Sequence, residues 1–175
     1  MTGQYANLQG DAVADFSEYI GMPTSKGTLV VERAPLTNFA AALGDENEVY
    51  RDAGVARKAG FDDIPSPPTF GFSIQNWGKW AELQPSDGQP DRNPMMEVIG
   101  ALMAKGGMVL HGEQEFTYHR PLTVGQRLTY EGEVADIYEK QTGERTMTFM
   151  VIVDTYRNSE GEPVLSSTMN LIHRS

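Results

Sequence analysis

Asp45, Asn47 and Tyr50 lie close together in Leu43-Gly44-Asp45-Glu46-Asn47-Glu48-Val49-Tyr50, and each has a side chain able to handle a proton or orient a water. Asp45 offers a carboxylate that can act as a general acid and base, or can simply accept backbone N–H groups at the start of a short helix. Asn47 can orient a water or hold the turn. Tyr50 offers a phenol whose ordinary pKa of about 10 makes it a poor base near neutrality, so it suits hydrogen-bond donation, packing or ligand lining. The chain's imidazoles are His111, His119 and His173. His111 and His119 are eight residues apart on one predicted strand, and face the same side of a sheet if that strand has no bulge. They would then stand about 26 Å apart, too far to share a metal or act on one bond. His111 is the candidate pocket residue of the three, with a hydrogen-bonded structural histidine as the alternative; His119 and His173 read as surface or structural. The sequence has no cysteine, which excludes disulfides, thiolate metal sites and a cysteine nucleophile. It shows no glycine-rich phosphate loop, nucleophile elbow or histidine-pair zinc motif, so no metal or cofactor is expected.

These residues sit in a chain of 175, a length that suits one domain, with 39% hydrophobic residues to supply a core. The formal net charge of -10 argues against non-specific nucleic-acid binding. It also means that an anionic ligand needs a local basic patch, for which Arg57, Lys58 and Arg120 are candidates beside the alternative of solvated surface charge. No apolar run approaches the roughly 18 residues of a membrane span. Residues 1–10 read as a flexible arm without the basic start and apolar stretch of a signal peptide, and residues 11–175 as the domain, so the expected location is cytoplasmic.

Several elements are needed to position the candidate residues. Asp11 can cap a helix reaching Ile20, and Thr28 to Glu32 reads as a strand. Pro35 to Leu43 reads as a helix ended by Gly44, and Arg51 to Ala59 as another ended by Gly60. Pro65-Ser66-Pro67-Pro68-Thr69 is a rigid lead-in, with Ser66 or Thr69 as cap, to a helix predicted over roughly 70–83 with Phe70, Ile74, Trp77 and Leu83 on one side. Residues 84–93 read as loop and Met95 to Ala104 as a short helix or flap. Its Met96 and Ile99 suit either an adaptable cover for an apolar ligand or plain core. Val109 to Tyr118, Arg127 to Tyr138, Arg145 to Tyr156 and Pro163 to His173 show strand alternation with turn signals between them, which predicts antiparallel pairing and an α+β fold.

The loop resembles the active-site segment of the (R)-specific enoyl-CoA hydratases, Gly-Asp-x-Asn-Pro-x-His, with Glu48 for the proline and Tyr50 for the histidine. Ala56-Arg57-Lys58-Ala59-Gly60-Phe61, Pro67-Pro68-Thr69-Phe70, His111-Gly112-Glu113-Gln114-Glu115-Phe116, Tyr118-His119-Arg120-Pro121-Leu122 and Val124-Gly125 follow in order. Over residues 11–173 the chain is similar to the MaoC-like, FAS1-like dehydratase N-terminal domain family. That resemblance implies a single hot-dog domain, an antiparallel sheet wrapped around a central helix. It implies acyl-CoA or acyl-carrier-protein thioesters as ligands, ranging from fatty enoyl to steroid side-chain esters, and reversible addition of water to a 2-enoyl thioester. It also implies a homo- or heterodimer, because the acyl site of such proteins lies between two hot-dog units.

Hydration needs a base for water, an acid for the α-carbon and donors for the thioester oxygen as enolate charge develops. In catalytic relatives an aspartate and a histidine share the acid-base work and an asparagine orients the water. The resemblance therefore gives Asp45 and Asn47 as catalytic positions, and Tyr50, Pro68, Thr69, Phe70, Met96 and Ile99 as substrate-binding positions. Because Tyr50 replaces the histidine, the first expectation is a substrate-binding half that works with a catalytic hot-dog partner. The second is an autonomous homodimer using Asp45 with His111, and the third a non-catalytic acyl-thioester binding protein.

Overall fold

The four alternating segments of the last third all become antiparallel strands, but the first of them pairs with the last and not with its successor. The computed structural model describes residues 16–75, 93–143 and 145–174. Its strands are β1 (Pro23–Val30), β2 (Met108–Tyr118), β3 (Arg127–Thr142), β4 (Arg145–Arg157) and β5 (Pro163–Arg174). They form one sheet in the order β1-β3-β4-β5-β2, every neighbouring pair antiparallel. Asn158 shapes the β4–β5 turn, its Oδ1 accepting the N–H groups of Glu160 at 3.0 Å and Glu162 at 2.9 Å. β1 runs further back than the sequence predicts, starting at Pro23, because Lys26 and Ser25 pair with β3 despite their polarity. Its partner β3 extends past Tyr138 to Thr142.

The helices are α1 (Arg33–Ala42), α2 (Ala53–Lys58) and α3 (Pro94–Met103). α1 turns Leu36 and Ala40, four residues apart, into the core. α3 buries Val98 and Leu102 in the same way, and Asn93 caps it by accepting the Met96 N–H at 3.3 Å. Of the predicted helix reaching Ile20, residues 11–15 lie outside the described residues, and the remainder holds a 3-10 turn at Ser17–Tyr19. Of the helix predicted over 70–83, the described part is a 3-10 turn, Phe70–Phe72, and residues 76–83 lie outside the description, as do 1–10 and most of 84–93. Among the described residues no helix is long and apolar enough to cross a membrane.

Both parities of β4 are largely apolar, so the alternation alone does not say which faces the core. Met150, Ile152 and Tyr156 are the buried set, and Phe149, Val151 and Val153 the outer one. The core has two parts. One gathers Leu29, Leu36, Ile64, Phe70, Tyr130, Tyr156 and Leu165; the other gathers Phe16, Val98, Leu102, Val134, Met150 and Ile152. Between them, on the same inner face, runs a polar row. Ser25 pairs with Gly132, Gly132 with Asp154, and Asp154 with Ser167.

The strand carrying His111 does contain a bulge. His111 pairs with Leu171 but Glu113 with Asn170, so Gly112 is the extra residue. The bulge puts His111 on the inner parity with Gln114 and Tyr118. His119 lies past the strand end, with its Nε2 2.9 Å from the Ser166 hydroxyl on the outer parity. The two histidines therefore face opposite ways.

Candidate functional site

The loop after α1 is built by its caps. Gly44 (φ 71°) takes the left-handed conformation, its N–H bonds the Ala41 carbonyl at 3.0 Å, and the Asp45 N–H bonds the Ala40 carbonyl at 3.0 Å. That pair of bonds is a Schellman ending, and it fixes where the Asp45 backbone points. The Asp45 carboxylate then accepts the Asn47 N–H at 2.9 Å, and Asn47 Oδ1 accepts the Val49 N–H at 3.1 Å, capping the 3-10 turn Glu48–Tyr50. Arg51 Nη2 donates to the Asp45 carbonyl at 2.6 Å, Arg33 Nη2 to the Arg51 carbonyl at 2.7 Å, and the Thr37 hydroxyl to the Tyr50 carbonyl at 3.3 Å. Asp45 and Asn47 thus each hold a local turn, with α1 and its flanking arginine bracing the backbone.

The turn delivers Tyr50 to a pocket of about 460 Å³, where it meets Val49, Phe61, Pro68, Tyr118 and Leu122. Burial raises the Tyr50 phenol above its ordinary pKa, and the nearby Asp45 charge raises it further. A phenol so placed stays protonated and serves as a donor or a wall, not as a base. Tyr118 donates to the Pro68 carbonyl at 2.7 Å, tying β2 to the proline-rich lead-in, and its phenol is also raised, chiefly by burial. Tyr118 belongs to this pocket although the sequence reading gave it no role. Its signal was the inner parity it shares with Phe116 next to the proline-rich segment.

The structure brings Tyr50, Pro68 and the basic candidate Arg120 to one pocket, with His119 also on its wall, and places the other candidates elsewhere. Thr69 precedes the Phe70–Phe72 turn without capping it through its side chain, and Phe70 is core, edge-to-face on Phe39 at 5.5 Å. Met96 is exposed on α3, while Ile99 packs on the second cluster. His111 is exposed on β2 with its ring 5.2 Å from that of Phe72, apart from the Asp45 turn. Of the basic candidates, Arg57 pairs with Asp63 at 2.7 Å and Arg120 with Glu162 at 2.6 Å, both exposed.

A second, half-open cavity of about 300 Å³ lies over the polar row, between β1, the Phe70–Phe72 turn, α3 and β2. Its floor is Asp154, whose Oδ1 accepts the Ser25 hydroxyl at 2.7 Å. Gln75 Nε2 donates to the Tyr156 hydroxyl at 2.6 Å beside it. Burial raises the Asp154 carboxyl above the usual carboxylate range, with the Ser25 and Gln75 hydrogen bonds pulling the other way. A folded-state pKa above the unfolded one favours the fold most at low pH. That contribution is lost as pH rises from the ordinary aspartate value of about 3.9 through the folded one. Asp154→Asn is therefore expected to gain stability relative to the parent across that window and then level off. Urea midpoints of both proteins at pH 4 and pH 8 check this, and a difference independent of pH would refute it. The sequence clue to this cavity was a single acidic residue at the parity of Met150, Ile152 and Tyr156.

Three comparisons bear on this geometry. The sequence model of the FAS1-like, dehydratase domain region matches residues 18–167. A UPF0336 protein of Parafrankia sp. is 32% identical over 86% of this chain and 88% of its own length. A probable enoyl-CoA hydratase alpha subunit of Thermomonospora curvata is 29% identical over 78% of this chain and 43% of its own. Among solved structures, the ChsH1-ChsH2 complex from Mycobacterium tuberculosis contains a chain similar in fold (TM-score 0.72, 23% identity, 90% of this chain and 88% of that one).

Proposed function

Since the chain belongs to the FAS1-like dehydratase family and has the hot-dog fold, we propose that it is a subunit of a 2-enoyl-thioester hydratase (3-hydroxyacyl-thioester dehydratase) whose acid-base residues come from a hot-dog partner. The observation that carries this reading is Tyr50. It stands where hydratases of this kind have their histidine, and burial holds it protonated. Asp45 and Asn47 each accept a backbone N–H in the turn that carries Tyr50 to the pocket, and in this reading they support that turn. A relative described as an alpha subunit and a neighbour solved as a two-protein complex favour assembly with a second chain. Tyr50, Pro68 and Tyr118 would then face the acyl thioester, and the edge strand β2 would face the partner.

The test is hydration of trans-2-octenoyl-CoA by the purified protein alone and mixed with a hot-dog partner that retains the aspartate–histidine pair. A positioned acid or base typically contributes 10²–10⁴-fold, so the mixture is expected to exceed the single protein by about that factor. Equal rates would overturn the reading and return attention to Asp45 and His111.

A further inference from the structure

The outer face of the sheet, opposite the core, carries an apolar row that crosses four strands. Leu110 on β2 pairs with Ile172 on β5, Ile172 with Phe149 on β4, and Phe149 with Tyr138 on β3. Leu110 is 44% exposed, the other three are partly exposed, and none of the four belongs to either core cluster. The Tyr138 and Phe149 rings stack at 4.9 Å, 6° from parallel, which flattens that end of the row. Apolar side chains gathered in one strip, rather than scattered singly, mark an interaction surface.

The charges on the two sides of the row have opposite signs. Toward the β3–β4 turn, the next outer row runs from Met108 through Arg174 and Met147 to Lys140, with Arg145 beyond it on β4. Lys140 Nζ leans back over the apolar row, 5.3 Å from the Tyr138 ring centre and 5.0 Å from that of Phe149. In the other direction the next row runs from Glu113 through Asn170 and Val151 to Asp136. Glu115 and Glu133 end the row after that. Asn170 Nδ2 donates to Glu113 at 2.9 Å. All seven of these charged residues are exposed.

An apolar strip with a cationic flank and an anionic flank is complementary to itself. We propose that a second copy of this chain docks here, outer face to outer face, about a two-fold axis that runs along the row Leu110–Ile172–Phe149–Tyr138. That axis lays the apolar row of each copy on the other's and sets each cationic flank over the other copy's anionic one. Lys140 of one copy then meets Asp136 of the second, and Arg174 stands one strand from Glu113 of the second. A two-fold axis parallel to the strands would instead oppose cations to cations and carboxylates to carboxylates, so the charges select the first. Aligned sheets pack about 10 Å apart, and the flanks lie about 7 Å to either side of the axis, within reach of long side chains from both copies. The docking uses the outer face and leaves the β2 edge to a hot-dog partner, so it does not depend on the hydratase reading.

The experiment is sedimentation equilibrium of the full chain, as the parent and as charge-swapped variants. The parent is expected to self-associate. Lys140→Glu or Asp136→Lys alone opposes like charges at two symmetric places, and each is expected to raise the dissociation constant about 10-fold. The double variant Lys140→Glu/Asp136→Lys is expected to bring it back to within about 3-fold of the parent. Within one chain the two residues are about 13 Å apart along β3, too far to pair, so such a rescue reports contact between copies. Both positions are exposed, so the variants keep the fold. A parent that stays monomeric overturns the inference. So does an assembly that neither single swap weakens, as one joined through the β2 edge would be, or one that the double variant fails to recover.

Discussion

Leu165→Ala is expected to lower the unfolding free energy by about 3–5 kcal/mol, toward the upper end for removing a buried leucine. Leu165 is fully buried, and in the sheet it sits between Tyr156 on β4 and Tyr118 on β2. From above it is covered by the Phe70–Phe72 turn, so closely that a Cβ on Gly71 would come within 2.7 Å of Leu165 Cδ2. Rings on two sides and a proline-led turn on the third cannot collapse far into the space left. A typical domain has only about 5–15 kcal/mol in hand. At this size each kcal/mol moves Tm by about 2–4 °C. Urea denaturation followed by circular dichroism measures the loss. A cost below about 1 kcal/mol would show that the turn settles onto the sheet freely.

Gly107→Ala is the second large effect, and it acts on the backbone. Gly107 has φ 87°, a conformation that costs an L-residue about 1–2 kcal/mol. Its added Cβ would also collide with the Arg174 carbonyl oxygen, a main-chain atom held in the ladder by Met108↔Arg174. Nearby, His173 Nε2 lies 2.7 Å from the Gly106 carbonyl, so the corner is pinned from two directions. A total of about 2–5 kcal/mol is expected, combining the conformational and overpacking costs. Gly106→Ala is the internal control. Its φ is 82° but nothing lies within 4 Å of the new Cβ, so only the conformational part applies. Equal losses in the two variants, measured by denaturant midpoint, would remove the clash from the account.

The strands were legible because long alternating segments are separated by turn residues such as Gly143 and the Asn158–Gly161 group. α1 and α2 were legible because each ends in a glycine that the chain reverses on. The face of β4 was not, since Val151 and Ile152 are equally apolar and burial is decided by what packs above them. The bulge at Gly112 was equally hidden: a glycine in a strand permits an extra residue without requiring one, and it moved His111 and His119 to opposite sides. The loop motif identified the family, but its spacing said nothing of whether Asp45 faces a substrate or its own backbone. In the structure one oxygen of that carboxylate accepts the Asn47 N–H. Asp154, which floors the cavity over the polar row, read only as one member of an alternation.

The Asp45–Tyr50 turn owes its shape to the Schellman ending of α1, two stacked side-chain caps and a brace from Arg51. Residue 50 contributes its carbonyl to that arrangement, not its ring. Its side chain is therefore an exchangeable part mounted on a self-supporting bracket. A duplicated copy of such a protein can give up its reactive group at this position without disturbing the fold, and is then free to specialise its interior for a different cargo while its sister copy keeps the chemistry.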